Sequence, residues 1–240
     1  MSLRAENRRY PATVTPVSAS RLQELQAELD SLKTTHIRAD INQYGLISSK
    51  NSMVGGPSSI TDTGLLVSKA REAFVRFSKF TNVTDTSQLT DLEVTRFTIP
   101  GHETWVVAFY HQYHDGIEVE NTECYASIDS GVCAIAGHHY RDIFIPVRDT
   151  ISRTRAAQSL TGYTIPYECW GPDTLIVRSE LVLRDEIRRL VLPMEVNGTI
   201  ELRVAWEIPI AGAPAAGTDW LFYVDILTGE ILRIDQLFIC

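Results

Sequence analysis

The chain predicts an α+β fold of two tandem units, each a helix packed on an antiparallel sheet. Three observations predict it: apolar helical stripes that precede sheets, β-rich runs separated by turn residues, and an internal repeat. The repeat is visible in letters. The stretch WVVAFYHQ (105–112) followed by CYASIDSGVCAIAG (124–137) parallels LRVAWEIP (202–209) followed by FYVDILTGEILRI (222–234). Each is an apolar strand, a connection, and a hairpin turning on Asp and Gly. With Phe109 set on Trp206 and Tyr125 on Tyr223, the separations are 16 and 17 residues, so the copies stay nearly in step.

In chain order, residues 20–33 read as a helix. Ser20 with Gln23 forms a capping box, and Leu22, Leu25, Leu29 and Leu32 recur on one face. That stripe is too short for a coiled coil, so it packs on the body of the protein. Residues 48–63, rich in Ser, Gly and Asn with Pro57, read as a connection and a boundary. A second helix spans 65–80, with Leu66, Ala70, Ala73, Phe74 and Phe77 on one face. Strands are expected at Leu92–Ile99, Thr104–Tyr113, Ile117–Ile128 and Val132–Tyr140. They are joined at Pro100-Gly101, Asp115-Gly116 and Asp129-Ser130-Gly131. Asp115-Gly116 is the strongest turn signal, because a two-residue type I′ turn needs positive φ at both positions. After Pro146 a short helix over 152–160, closed by Gly162, begins the second set of elements. The domain reading is therefore 1–60 (helical extension and linker), 61–149 and 150–240.

A hydrophobic content of 44% over 240 residues supports a buried core. The net charge of −8 comes from 30 acidic against 22 basic residues, and only Arg8-Arg9 and Arg188-Arg189 are adjacent basic pairs, which argues against nucleic acid as a partner. No run has the roughly 18 apolar residues of a transmembrane helix, and the opening segment has no apolar signal stretch. The four cysteines, Cys124, Cys133, Cys169 and Cys240, allow three pairings and suit an oxidising compartment, with small buried thiols as the equal alternative.

The motifs of common enzymes are missing from the letters. There is no H-E-x-x-H, no G-x-S-x-G, no phosphate-cradling glycine loop and no dinucleotide fingerprint. His102, His111, His114, His138 and His139 crowd the first sheet, but strand alternation turns His111 from His114 and His138 from His139, so they read as structural. Asp115 and Asp129 fit turn chemistry. The expectation is a non-enzyme without metal or cofactor.

The segment 105–137 resembles the propeptide domain of fungalysin and thermolysin-type metalloproteases. Tyr110, Gln112, Gly116, Ile117 and Val119 fall on that pattern in register, followed by Glu123, Asp129 and Gly131. The second copy, with Ile151-Ser152, LRVAWEIPI and DWLFYVDILTGEIL, resembles a PepSY domain; together they cover 61–236. Glu118 replaces a usual Pro, Asn121-Thr122 replace two frequent glycines, and Ser127 replaces a frequent His. The resemblance implies cystatin-like/PepSY-like units outside the cytoplasm, secreted or in the cell envelope. It implies a metallopeptidase as partner, inhibited or assisted in folding. The alternative is a stand-alone module binding a small ligand or another protein. The expected contacts are two hairpin tips, Asp115-Gly116 and the segment carrying Asp225, Thr228, Gly229 and Glu230.

Overall fold

The computed structural model describes residues 10–32, 39–48, 62–99, 102–128, 132–168, 172–212 and 218–237. They form helices and antiparallel sheets in an α+β architecture. Two compact units emerge. The first comprises Thr13–Ile143 with Glu195–Glu201, the second Met1–Ala12, Phe144–Met194 and Leu202–Cys240.

A short strand, β1 (Ala12–Val14), precedes helix α1 (Ala19–Leu32). The expected cap at Ser20 is displaced to Ser18, whose Oγ accepts from Arg21 N at 3.3 Å and whose carbonyl accepts from Leu22 N at 2.8 Å. Leu25 and Leu29 are buried and join one core with Leu66, Phe74, Val107, Phe109 and Ile135. The stripe expected to pack on the body thus packs on the first unit. Helix α2 (Thr63–Arg76) starts where Asp62 accepts from Gly64 N and Leu65 N. It stops short of the expected residue 80. After Phe77 the chain re-enters a single turn, α3 (Ser78–Thr81). The Thr81 hydroxyl donates to the Phe74 carbonyl at 2.9 Å, satisfying an acceptor that a continuing α2 would have used.

The four-stranded sheet of this unit is built from β2 (Leu92–Ile99), β3 (His102–Phe109), β6 and β7; between β3 and β6 the chain forms a hairpin of β4 (Gln112–His114) and β5 (Ile117–Val119) that is not part of that sheet. β6 is Cys124–Ile128 and β7 is Val132–Ala136, and the strands run in the order β2-β3-β6-β7. The long strands expected over 104–113 and 117–128 are each divided. At Tyr110 the amide turns to the Asp91 carbonyl, the Gln112 amide donates to Thr122 Oγ1 at 3.0 Å, and Asn121 takes φ 56°. Those local bonds take the chain off the β3–β6 ladder and back to it. The strand expected to run to Tyr140 ends at Ala136. Asp115 and Gly116 have φ 50° and 75°, the type I′ signature. The turns at Pro100-Gly101 and Asp129-Ser130-Gly131 lie outside the described residues.

In the second unit α4 (Arg153–Ser159) is capped by the Ser152 hydroxyl and buries Ala156 and Ala157. A hairpin, β8 (Thr164–Glu168) with β9 (Pro172–Ile176), follows. Then β10 (Arg188–Val196), β11 (Thr199–Ala211), β12 (Thr218–Asp225) and β13 (Ile231–Gln236) run in that order, antiparallel where their register is defined, with Glu195–Glu201 of β10 and β11 counted in the first unit. Leu160, Ile208, Phe222 and Val224 share the core with the helix. The indole of Trp206 donates to the Ile151 carbonyl at 2.8 Å. Under the letter alignment the two ladders differ in register: Phe109 faces Cys124, before Tyr125, whereas Trp206 faces Val224, after Tyr223.

Candidate functional site

A cavity of about 430 Å³ lies in the first unit. Its floor and walls come from three segments whose backbones are tied together by side chains. Gln112 is the central tie: its Nε2 donates to the Tyr140 carbonyl at 2.7 Å and its Oε1 accepts from Tyr140 N at 2.8 Å. Asn82, left-handed at φ 58° after α3, donates from Nδ2 to the His139 carbonyl at 2.7 Å. The His139 amide donates to the Thr81 carbonyl at 2.7 Å. On the facing wall a 3-10 turn, Thr86–Gln88, is held by a reciprocal capping box between Asp85 and Gln88. The Gln88 Oε1 accepts from Thr84 N at 2.7 Å and Asp85 N at 3.0 Å.

Two histidines sit in or beside this wall, both buried. His138 Nδ1 meets the Ile47 carbonyl at 2.7 Å, which assigns the proton to that nitrogen, while its Nε2 finds no hydrogen-bond partner among the described residues. His139 is 2% exposed, and its Nδ1 is likewise unpaired. Burial holds both imidazoles neutral, and for His139 burial together with the neighbouring His138 pulls the pKa down to about 4. His139 therefore predicts an acid limit to stability. The unfolded chain takes up a proton near the ordinary value of 6.5 that the fold refuses until about 4. The contribution is complete above the upper value and is lost as pH falls through that window, about 3 kcal/mol in all. Urea unfolding at pH 7 and at pH 4.5 should show a smaller loss for His139→Gln than for the parent; equal losses would remove His139 from the account.

Of the residues singled out by sequence, Asp115 and Gly116 occupy the open tip of the β4–β5 hairpin, and Tyr113 and His114 beside them line the cavity. The Asp115 side chain is 77% exposed and stands 3.8 Å from His114 Nε2. Asp225, Thr228, Gly229 and Glu230 lie in the other unit. There the Asp225 side chain is inside: Oδ1 accepts from Leu227 N at 2.8 Å and Thr228 N at 3.0 Å, and Oδ2 from Tyr10 at 2.9 Å and Arg203 at 3.2 Å. Thr228 and Glu230 are exposed, Gly229 partly so. Asp225 thus anchors that turn and offers it no contact surface.

His111 pairs with Glu118 at 3.2 Å. Among the described residues no three His, Cys, Asp or Glu side chains gather as a metal would need. Cys124 is a free, buried thiol whose pKa burial drives far up, so it is no nucleophile near neutral pH. Cys169, Cys240 and the Cys133 side chain lie outside the described residues. Among the described residues no helix is long and apolar enough to cross a membrane.

Sequence reasoning passed over Asn82, Gln88, Tyr140 and Arg141 as cavity residues. The Asp85-to-Gln88 spacing was a usable capping signal; nothing in the letters pointed to the pairing of Gln112 with Tyr140.

No family model matches the chain, and no curated protein matches it. Among solved structures, the Bacillus megaterium YpeB C-terminal domain is similar over 93% of this chain and 99% of that chain, with 14% identity and a TM-score of 0.33. A likeness of that size assigns neither family nor function.

Proposed function

We propose that the chain is a non-enzymatic binding module of the propeptide and PepSY type, acting outside the cytoplasm, whose partner is a metallopeptidase that it inhibits or helps to fold. One observation carries the reading: Gln112, Gly116 and Val119, three of the residues on which the propeptide resemblance rests, build one hairpin. Gln112 and Val119 are buried, at 8% and 0% exposure. Gly116 supplies the turn. What they hold out, Tyr113 and the Asp115-Gly116 tip, is exposed. A tip fixed by a tight turn between two paired strands loses little entropy on docking, which suits insertion beside a partner's cleft. The tip at Thr228 and Glu230, anchored by Asp225, is the second contact of the proposal. The test is titration of the chain into a panel of thermolysin-like metallopeptidases, with activity, direct binding and cleavage of the chain followed together. Saturable inhibition without cleavage by at least one member, weakened about 10-fold by Tyr113→Ala, is the expected result. Absence of binding across the panel rejects the peptidase partner. The cavity beside the hairpin favours a second reading, a module that binds a small molecule.

A further inference from the structure

We infer that the polar cavity of the first unit binds a small neutral carbohydrate. The inference rests on the chain being a binding module, and deepens its small-molecule reading. At about 430 Å³ the space falls within the range of small-molecule sites, roughly 300–1,000 Å³. Such sites are usually apolar; this one has no aliphatic side chain in its lining. Asn82, Gln88, Gln112, Thr84, Ser87 and Thr90 line it instead, and part of their hydrogen-bonding capacity is spent on the wall itself, with both ends of the Gln112 amide on Tyr140 and the Thr90 hydroxyl donating to the His111 carbonyl at 2.8 Å. An apolar guest would cover the polar atoms that these bonds leave over and return nothing.

Charge narrows the class further. Arg141 and Asp142 are adjacent in the lining and of opposite sign, and the buried His139 is neutral at pH 7. A phosphate or carboxylate would meet one cation and one carboxylate; an ammonium would meet the same pair. A neutral guest with both donors and acceptors meets neither penalty. Sugar hydroxyls, which both donate and accept, match what those internal bonds leave over, the second amide end of Asn82 and of Gln88 and the Ser87 hydroxyl. Tyr113, 48% exposed and lining the cavity, offers a ring. The polarised C–H face of a pyranose is attracted to the negative face of an aromatic ring. A short peptide would find amide partners too, but no apolar recess for its side chains.

The walls are set before any ligand arrives. Gln88 is held by its capping box, Asn82 by the His139 carbonyl and Gln112 by both polar groups of the Tyr140 backbone. Preorganisation of this kind reduces the entropy lost on binding. His139 also leaves Nδ1 without a hydrogen-bond partner among the described residues.

The test is ¹H–¹⁵N NMR titration of the full chain with glucose, galactose, mannose, N-acetylglucosamine, maltose and cellobiose, and with tri-alanine in parallel. Saturable shifts at Gln88, Tyr113, His139 and Arg141 with at least one sugar, at a Kd of about 1 mM or tighter, are expected. Tyr113→Ala should weaken that binding about 10-fold, and Ser87→Phe, which fills the cavity, should abolish it while the remaining spectrum stays in place. No saturable shift with any sugar up to about 50 mM, saturation by tri-alanine alone, or sugar binding untouched by both variants overturns the assignment. Peptidase binding measured on the same preparation separates the two proposals. Its presence without sugar binding removes only the carbohydrate, and its absence with sugar binding removes only the peptidase.

Discussion

Asp225→Ala is expected to lower the unfolding free energy by about 3–5 kcal/mol, the range found when one partner of a buried charge pair is removed. The carboxylate is 0% exposed and every interaction it makes is internal. One oxygen closes the turn through the amides of Leu227 and Thr228. The other receives the Tyr10 hydroxyl and the Arg203 guanidinium. Arg203, 19% exposed, loses its contact to this buried carboxylate and keeps Glu230 at 3.8 Å. Tyr10 stays a protonated donor, since burial first and the Asp225 charge second drive its pKa far up. Asp225→Asn should cost less, because an amide oxygen still accepts at the turn while the charge facing Arg203 is gone. Urea unfolding followed by tryptophan fluorescence reads this directly, since Trp206 and Trp220 report on the second unit. A loss below about 1 kcal/mol for the alanine variant would show that the network is not buried as described. The same result bears on function, because Asp225→Ala would impair any binding by the tip only through the fold. Thr228→Ala with Glu230→Ala, both exposed positions, is the variant that addresses contact itself.

Much of the local structure was legible in the letters because it follows from short-range chemistry. The helix stripes of Leu25 and Leu29 and of Leu66, Ala70 and Phe74 lie buried as periodicity requires. Asp115-Gly116 adopts the turn that its residue types favour. What escaped reading depends on bonds between residues far apart in the chain. No periodicity separates 104–113 into β3 and β4; the division follows from the Thr122 hydroxyl receiving the Gln112 amide and from Tyr110 turning to Asp91. Asp225 looked like a turn residue at a hairpin tip, and it is one, but its burial depends on Tyr10, 215 positions away. The cavity was invisible for the same reason. Gln112 was singled out by its place in a motif, yet its partner Tyr140 lies 28 residues on, and Asn82 reaches His139 across 57.

Gly137→Ala should be the other severe change, costing about 3 kcal/mol or more through overpacking together with a positive φ. Gly137 sits at φ 94°, and a Cβ there would lie 2.0 Å from the Glu123 carbonyl oxygen and 2.9 Å from the Cys124 Cα. Both neighbours are backbone, at the entry to β6, so no rotamer change can relieve the overlap. The close crossing lets the chain leave β7 and carry His138, His139 and Tyr140 to the side of the unit where Gln112 and Asn82 receive them. Pushing it apart strains those same hydrogen bonds, so the cavity should loosen along with the fold. Gly116→Ala is the matched control, because Gly116 has φ 75° but nothing within 4 Å of an added Cβ. Its cost is the left-handed backbone alone, about 1 kcal/mol. Thermal and urea unfolding of the two variants side by side separate the effects. A penalty at Gly137 well above that at Gly116 is the signature of the crossing, and equal penalties would mean that only backbone conformation distinguishes these glycines from alanine. The comparison also reaches the binding proposals: if the wall behind the hairpin depends on this crossing, Gly137→Ala should broaden the amide signals of His139 and Tyr140, while Gly116→Ala should disturb only the tip.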